Sequence, residues 1–177
     1  MVVLDEPLPD EKSLPDLRLK IGYVIQQSGL FPHLSIFGNI ALLGRIRNLA
    51  DDHLAFRVQQ LMDAVGLQAR LGKKYPHELS GGEKQRAALC RALLLNPPIL
   101  LMDEPFASLD VKTKQGIYGH LLAIQQHEPR TILLVTHDWQ EAQLLADTFV
   151  WIEKGKIRQR GSRDQLEKAQ QEFLESE

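Results

Sequence analysis

The apolar positions in the middle of the chain recur with a helical period. Over residues 54–65 they lie three or four positions apart, so they share one face of a helix that Gly66 ends. The same pattern extends over residues 36–94, which we predict to be largely helical. Residues 1–20 hold three prolines and isolated leucines, and we expect a loop there with a stub of strand at 2–4.

The apolar positions of the second half form short uninterrupted runs instead. Residues 98–103 and 130–136 are two such runs, and a helical segment over 111–126 separates them. Residues 21–26 form a shorter run, rich in β-branched residues, that also predicts a strand. Apolar strands separated by helices are typical of a parallel sheet covered on both faces. The sequence therefore predicts an α/β core with a helical insertion.

Two further elements are predicted near the C-terminus. Asp138 and Glu141 match the Asp-x-x-Glu pattern that begins a helix, here over 138–146. Residues 149–153 and 156–160 are joined by Lys-Gly, which predicts a hairpin.

Composition then narrows the class of protein. The chain has 177 residues, 44% apolar and 25% charged, which is enough for a buried core. Its 21 basic and 23 acidic residues give a formal net charge of −2, a balance that offers no support for nucleic-acid binding. The single cysteine, Cys90, excludes an internal disulfide and makes a reducing compartment the default. The apolar runs are far shorter than the ~20 residues of a membrane span, and the N-terminus is unlike a signal peptide.

The run LSGGEKQR, residues 79–86, directly precedes a helical stretch. Ser80 and Glu83 match a capping box, so a helix is predicted to begin here. Gly81 and Gly82 would leave the backbone N–H groups of the first turn unshielded, and these N–H groups together with the helix dipole form an anion site. The alternative is an ordinary capped helix whose glycines allow close packing.

Two acids end the first apolar run of the second half. Asp103 and Glu104 would stand at the C-terminal tip of a buried strand, where open α/β sheets bind ligands. An aspartate at that point can hold Mg²⁺, and the glutamate can act as a general base on water. The alternative is two surface acids after a core strand. Asp110, by itself, would be a plain N-cap for the next helix.

Single polar residues follow two other predicted strands. His137 comes just after the run at 130–136, where a lone histidine is more often a structural turn residue than a catalytic one. Gln26 ends the strand at 21–26, and by itself it would be part of a loop.

In their order along the chain these features resemble the nucleotide-binding domain of an ATP-binding cassette (ABC) protein. The resemblance covers about residues 21–161 and rests on LSGGEKQR together with the strand ILLMDEP. It implies an α/β fold, a partial P-loop NTPase of the RecA-like type with a parallel-sheet core and an inserted α-helical subdomain. We expect one incomplete domain over 1–177, divided into a core at 1–35 and 93–161, the helical subdomain at 36–92 and a helical tail at 162–177.

The resemblance also implies a role for each matching residue, with ATP and Mg²⁺ as the bound groups. Gln26 resembles the Q-loop glutamine, which reaches Mg²⁺ and the attacking water. Asp103 resembles the Walker B aspartate, Glu104 the catalytic glutamate and His137 the switch histidine that contacts the γ-phosphate. The signature motif and D-loop, which bind nucleotide across a dimer interface, are matched by Ser80, Gly81, Gly82, Gln85, Ser108, Leu109 and Asp110.

The 177 residues contain no Walker A pattern Gly-x-x-x-x-Gly-Lys-Ser/Thr. The only Gly-Lys pairs are Gly72-Lys73 and Gly155-Lys156, and neither has a glycine five positions earlier. Residues 2–5 resemble the strand that follows the Walker A helix, so we expect an N-terminally truncated copy with little ATP affinity of its own. We also expect an apolar groove or an exposed strand edge.

The leading functional interpretation is an ATPase subunit of a membrane transporter. It implies transmembrane permease subunits and a second ATPase subunit as partners, a place on the cytoplasmic face of the membrane, and no nucleic acid. The sequence of residues 21–33 and 75–80 is most similar to that of importers for osmoprotectants such as glycine betaine. Amino-acid and anion importers share much of the same sequence. Segment 28–33 would then meet the permease; the alternative is that its Leu30 and Phe31 simply pack in the core. The alternatives are a non-catalytic module that donates its signature motif to a partner, or an inert fragment.

Overall fold

The computed structural model describes residues 2–7, 9–107 and 109–176 of the chain. These residues form two compact units that divide between Leu133 and Leu134. Each unit is described by itself.

The first unit contains helices and short strands. Its elements are β1 (Val2–Val3), β2 (Glu6–Pro7), α1 (Leu14–Leu19), β3 (Ile21–Val24), α2 (Ile36–Ile46), α3 (Asp51–Ala64), α4 (Gly81–Leu93), β4 (Ile99–Asp103), α5 (Val111–His127) and the start of β5 (Thr131–Val135). Two 3-10 turns, Ala69–Lys73 and Pro76–Glu78, connect α3 to α4. The largely helical segment and the strands thus lie where their apolar patterns predict them.

Strands β3, β4 and β5 form one sheet in that order. β3 and β4 run parallel, with Ile21 opposite Ile99 and Val24 opposite Met102. At the start of β5, the N–H of Thr131 donates to the carbonyl of Pro98 at 2.9 Å, beside the start of β4. The predicted parallel pairing of apolar strands is therefore confirmed for β3 and β4.

The helices α2, α3 and α4 pack against one another. The stripe predicted on α3 is buried, with Leu54, Val58, Leu61 and Met62 each at most 2% exposed. α3 ends at Ala64, and Gly66 follows with a φ of 66°, the left-handed conformation that glycine adopts without steric cost.

Two boundaries differ from the sequence-based expectation. Residues 14–19 form the helix α1 where a loop was expected, because Pro15 is tolerated in a first helical turn and Asp16 complements the helix dipole there. β3 ends at Val24, two residues before Gln26, because the chain turns at Gln26.

The second unit contains the end of β5, α6 (Trp139–Leu145), the hairpin of β6 (Thr148–Glu153) and β7 (Lys156–Ser162), a 3-10 turn and α7 (Leu166–Ser176). Asp138 caps α6 and the hairpin turns at Lys154-Gly155, both as predicted. Trp139, Trp151 and Phe173 form an aromatic cluster with ring centroids 5.7 to 6.2 Å apart.

The opposite face of the hairpin in the second unit is apolar and open. Its exposed residues are Val150 (56%), Ile152 (65%) and Ile157 (59%). Across the described residues, the helices are too short or too polar to traverse a lipid bilayer.

Candidate functional site

Gln26 and Asp103 lie at the same edge of the sheet. β3 and β4 run parallel, and their last paired residues are Val24 and Met102. Asp103 is the final residue of β4, and Gln26 follows β3 in a turn; both are exposed. The carboxyl edge of the sheet thus carries a carboxamide and a carboxylate on neighbouring strands, where open α/β sheets bind ligands.

Glu104 directly follows Asp103 and has an unusual backbone. Its φ is 45°, a left-handed conformation that a non-glycine residue keeps only where its surroundings hold it. Two neighbours hold this turn. The N–H of Ala107 donates to the Glu104 carbonyl at 3.3 Å, and the Phe106 ring, 2% exposed, packs edge-on against Tyr118 at 5.0 Å. The turn after β4 therefore fixes the position of the second acid.

Ser80 and Glu83 form the predicted capping box at the start of α4. The Ser80 hydroxyl accepts from the Glu83 N–H at 3.3 Å, and the Glu83 carboxylate accepts from the Ser80 N–H at 2.8 Å and from its hydroxyl at 2.9 Å. Gly81 is exposed, and among the described residues the one atom within 4 Å of a Cβ there is Cδ2 of Leu109, at 3.8 Å. The N–H groups of Gly81 and Gly82, which lack partners within the helix, are therefore open to an anion, whereas the N–H of Glu83 is capped by the Ser80 hydroxyl.

The first turn of α4 packs against the start of α5. A Cβ at Gly82 would lie 2.4 Å from Cγ2 of Thr113, so only glycine fits there. Asp110 caps α5 by accepting from the N–H of Thr113 at 3.0 Å and from its hydroxyl at 2.7 Å. The Thr113 hydroxyl and then its N–H hold the pKa of Asp110 below the ordinary value. Ser108 lies outside the described residues.

Gln85 is buried on the next turn of α4, with 4% exposure. Its Nε2 has no hydrogen-bond partner among the residues that the structure describes. Burying a hydrogen-bond donor without a partner lowers the stability of the fold. Among the residues predicted to bind nucleotide, the Gln85 amide is therefore the one whose hydrogen bonding is unsatisfied.

His137 belongs to the second unit, in the turn between β5 and α6. The Thr136 hydroxyl donates to Glu141 at 2.7 Å and accepts from the Asp138 N–H at 3.0 Å. Asp138 in turn accepts from the Gln140 N–H at 2.9 Å. Hydrogen bonds on both sides of His137 thus fix the local backbone of the turn.

Two residues that the sequence did not single out hold the loop after Gln26. Asn39 of α2, fully buried, accepts from the Phe31 N–H at 2.7 Å and donates to the Phe31 carbonyl at 3.0 Å. Arg91 of α4 donates to the carbonyls of Gly29 and Ser28 at 2.7 and 3.0 Å. The available signal was a charge inside the apolar run AALCRALL, since such a charge implies a buried polar partner.

The chemistry of these residues fits Mg²⁺ and a phosphate chain. Asp103 and Gln26 present oxygen atoms, the ligand type that Mg²⁺ prefers. In the described ranges, no group of three or more His, Cys, Asp and Glu side chains could hold a metal ion. Mg²⁺ at this edge would therefore take its remaining ligands from phosphate oxygens and water, as is usual for Mg²⁺ bound with a nucleotide.

Comparison with known families agrees with this arrangement. The family described as ABC transporter matches residues 1–107. The chain therefore belongs to the ABC transporter family. It is 42% identical over 153 residues to the glycine betaine uptake system ATP-binding protein YehX of Escherichia coli K12, covering 85% of this chain and 50% of that protein. It is also 42% identical to the glycine betaine/carnitine/choline transport ATP-binding protein OpuCA of Bacillus subtilis, covering 93% of this chain and 44% of that protein. The chain thus spans about half the length of the curated relatives it matches.

Solved structures of ABC cassettes share the fold. CbiO1 of Clostridium perfringens, part of the ABC transporter complex cbiONQ, matches with a TM-score of 0.85 and 27% identity over 99% of this chain and 70% of that one. The ATP-binding cassette MJ0796, a dimer bound to ADP and Pi, matches with a TM-score of 0.80 and 29% identity over 92% of this chain and 72% of that one. The predicted P-loop NTPase fold class is confirmed.

Proposed function

We propose that this chain is the ATP-binding part of a subunit that hydrolyses ATP to power solute import through a membrane permease. The observation that carries the proposal is the carboxyl edge of the sheet. There Asp103 and Gln26 leave neighbouring parallel strands, and Glu104 follows in a turn held by its neighbours.

In this proposal each side chain has a separate task. Asp103 and Gln26 would hold Mg²⁺, which would neutralise charge on the phosphoryl group. Glu104 accepts a proton from the attacking water, and Gln26 orients that water. His137 donates a hydrogen bond to the γ-phosphate. The N–H groups of Gly81 and Gly82 donate to a nucleotide bound by a second cassette, and the Ser80 hydroxyl does so by exchanging its bond to the Glu83 carboxylate for one to the phosphate. Gln85 and Asp110 complete the nucleotide-binding set.

The proposed partners are transmembrane permease subunits and a second ATPase subunit, on the cytoplasmic face of the membrane. Three relatives support an osmoprotectant as the solute, because their names specify glycine betaine, carnitine or choline. Segment 28–33 is the proposed permease-facing surface, where Phe31 is 43% exposed. We keep the core at 1–35 and 93–161, the helical subdomain at 36–92 and the tail at 162–177 as the proposed domain plan.

A chimaera tests the hydrolytic function. The P-loop segment of a cassette relative is joined ahead of residue 1, and ATP hydrolysis is measured with Mg²⁺. We expect turnover that Glu104→Gln lowers at least ~100-fold, since general-base catalysis contributes about 10²–10⁴-fold. Glu153→Gln, in the hairpin of the second unit, is the control and should leave turnover unchanged. A folded chimaera without turnover would refute the proposal.

The second candidate function is donation of the signature turn to a partner cassette. It is favoured by the complete capping box of α4 in a sequence whose 177 residues contain no Walker A pattern. The test adds the chain to an intact cassette relative and measures ATP turnover. Ser80→Arg removes the hydroxyl and fills the space in front of the first turn of α4, so it should abolish any stimulation, and circular dichroism of the same variant shows that the chain still folds. Equal turnover with and without the added chain would exclude this candidate.

A further inference from the structure

The loop after β3 contains two consecutive residues in the left-handed conformation. The φ angles of Ser28 and Gly29 are 55° and 56°. Gly29 is required, because a Cβ there would lie 2.7 Å from Cδ1 of Ile25. Ser28 has a Cβ, is 8% exposed, and keeps this backbone only because its surroundings hold it. The loop that carries Gln26 therefore depends on contacts from outside itself.

Arg91 provides such contacts from the third turn of α4. Its Nη1 donates to the Gly29 carbonyl at 2.7 Å and its Nη2 to the Ser28 carbonyl at 3.0 Å. The guanidinium also lies 6.0 Å from the centroid of the Phe31 ring, within cation–π range. A planar fork can bind two successive carbonyls at once, whereas a lysine ammonium is a single point charge. The geometry at this loop thus requires arginine specifically.

A second anchor holds the other end of the loop. Asn39 of α2 pairs with the backbone N–H and carbonyl of Phe31. The Asn39 anchor fixes the loop to α2, and the Arg91 anchor fixes the part next to Gln26 to α4. α4 is also the helix whose first turn is formed by Gly81 and Gly82.

We propose that Arg91 is a positioning residue that couples Gln26 to the signature turn at the start of α4. Because one helix carries both the signature turn and the arginine, a displacement of α4 moves the backbone of residues 28–29 with it. The consequence for nucleotide chemistry rests on the proposed function. The mechanical coupling of the loop to α4 does not rest on the proposed function.

Amide hydrogen exchange in the full 177-residue chain tests the coupling. The N–H groups of Ser28 and Gly29 are bonded within the turn, to the carbonyls of Ile25 and Gln27, so their exchange reports the opening of the loop. We expect Arg91→Gln to accelerate their exchange at least ~10-fold relative to the amides of α2, and Arg91→Lys to restore part of the protection.

Arg45→Gln is the matched control. Arg45 also lies over an aromatic ring, at 5.9 Å from the Phe37 centroid, but on α2. Arg45→Gln should leave the hydrogen-exchange rates of the Ser28 and Gly29 amides at their wild-type values. Unchanged exchange in Arg91→Gln would overturn the proposal, and so would equal acceleration throughout α2 and α4. If Arg91→Gln does not fold, Arg91→Lys decides instead, because loss of the planar fork should still accelerate exchange at Ser28 and Gly29 relative to the amides of α2, and unchanged exchange would overturn the proposal.

The ATPase chimaera supplies a readout that a merely structural role would not move. Because Gln26 acts on the water in the proposed function, Arg91→Gln should lower kcat about 10-fold while KM for ATP changes less than 2-fold. A rise in KM at constant kcat would contradict the coupling. A parent chimaera without turnover would refute the proposed function alone, since the exchange result decides the coupling without nucleotide.

Discussion

Glu128, at the C-terminal end of α5, joins two arginines from distant parts of the first unit. Its two carboxylate oxygens accept from Nη1 and Nη2 of Arg57 on α3, each at 2.8 Å, and Nη2 of Arg130 donates to the same carboxylate at 3.0 Å. The Arg130 side chain is 1% exposed, and those of Arg57 and Glu128 are 21% and 28% exposed. We predict that Glu128→Gln is among the most destabilising polar substitutions in the chain.

The magnitude follows from the bonds lost. An amide cannot accept from Arg57 at both positions, and the negative charge disappears. Hydrogen bonds to charged groups contribute about 1.5–3 kcal/mol each. Because the pair is partly exposed and screened, we expect a total loss of about 2–3 kcal/mol. For a chain of this size that corresponds to a fall in Tm of about 5–10 °C.

The pH dependence has a defined sign. The hydrogen bond from Arg57 is the largest cause that holds the pKa of Glu128 below its ordinary value of 4.5; burial opposes it and the bond from Arg130 supports it. A carboxyl whose folded pKa is lowered contributes stability that is present above the unfolded pKa and lost as the pH falls through the folded pKa. The wild-type advantage over Glu128→Gln should therefore be complete at pH 7 and shrink below about pH 4.5.

Urea unfolding followed by circular dichroism, from pH 7 down to pH 3, measures both effects. Glu172→Gln is the matched control, because Glu172 pairs with Lys168 on the exposed face of α7 at 3.9 Å. Glu172→Gln should lower the free energy of unfolding by no more than about 0.5 kcal/mol. Equal unfolding midpoints for the two variants at pH 7, or a difference that stays constant down to pH 3, would refute this reasoning.

Three further outcomes are expected. Gly82→Ala should cost about 1–3 kcal/mol in urea unfolding, because the new Cβ overlaps Cγ2 of Thr113. Adding Thr113→Ser should recover most of that loss. Gly116→Ala is the control and should not destabilise, because a Cβ there meets no atom of the described residues within 4 Å. The 177-residue chain should bind ATP weakly without a P-loop, so a micromolar Kd by calorimetry would contradict that account. The exposed apolar face of the hairpin should make the chain self-associate, as measured by analytical ultracentrifugation, and replacing Val150 and Ile152 by Thr should reduce the association. A parent chain that sediments as a monomer would contradict this expectation.

The sequence alone predicted the elements whose signals are local. The capping box of Ser80 and Glu83 and the N-cap at Asp110 each join residues three positions apart, so their spacing is visible in the sequence. The end of α3 at Gly66 depends on the conformational freedom of one residue. α1 was missed because Pro15 signals a turn when read by composition, although it is also tolerated in a first helical turn.

For the candidate site, the sequence determined the residue types and their order along the chain. It did not determine the contacts that hold these residues in place. It placed Gln26 and Asp103 at the ends of strands; β3 ends earlier, at Val24, but its parallel register with β4 still brings Gln26 and Asp103 to one edge. The nucleotide role of Glu104 is a prediction that Glu104→Gln addresses, and the nucleotide roles of Gln26, Asp103 and His137 likewise remain predictions.

Only the tertiary structure decided the long-range contacts. The bond between Arg57 and Glu128 spans 71 positions and that between Arg91 and Gly29 spans 62. The overlap that excludes a side chain at Gly82 likewise depends on where α5 packs against α4. A hydrogen bond between neighbours needs only the local backbone conformation, which residue type and spacing specify. A bond across the fold needs two elements to meet at one angle and distance, which only the packing of the whole core sets.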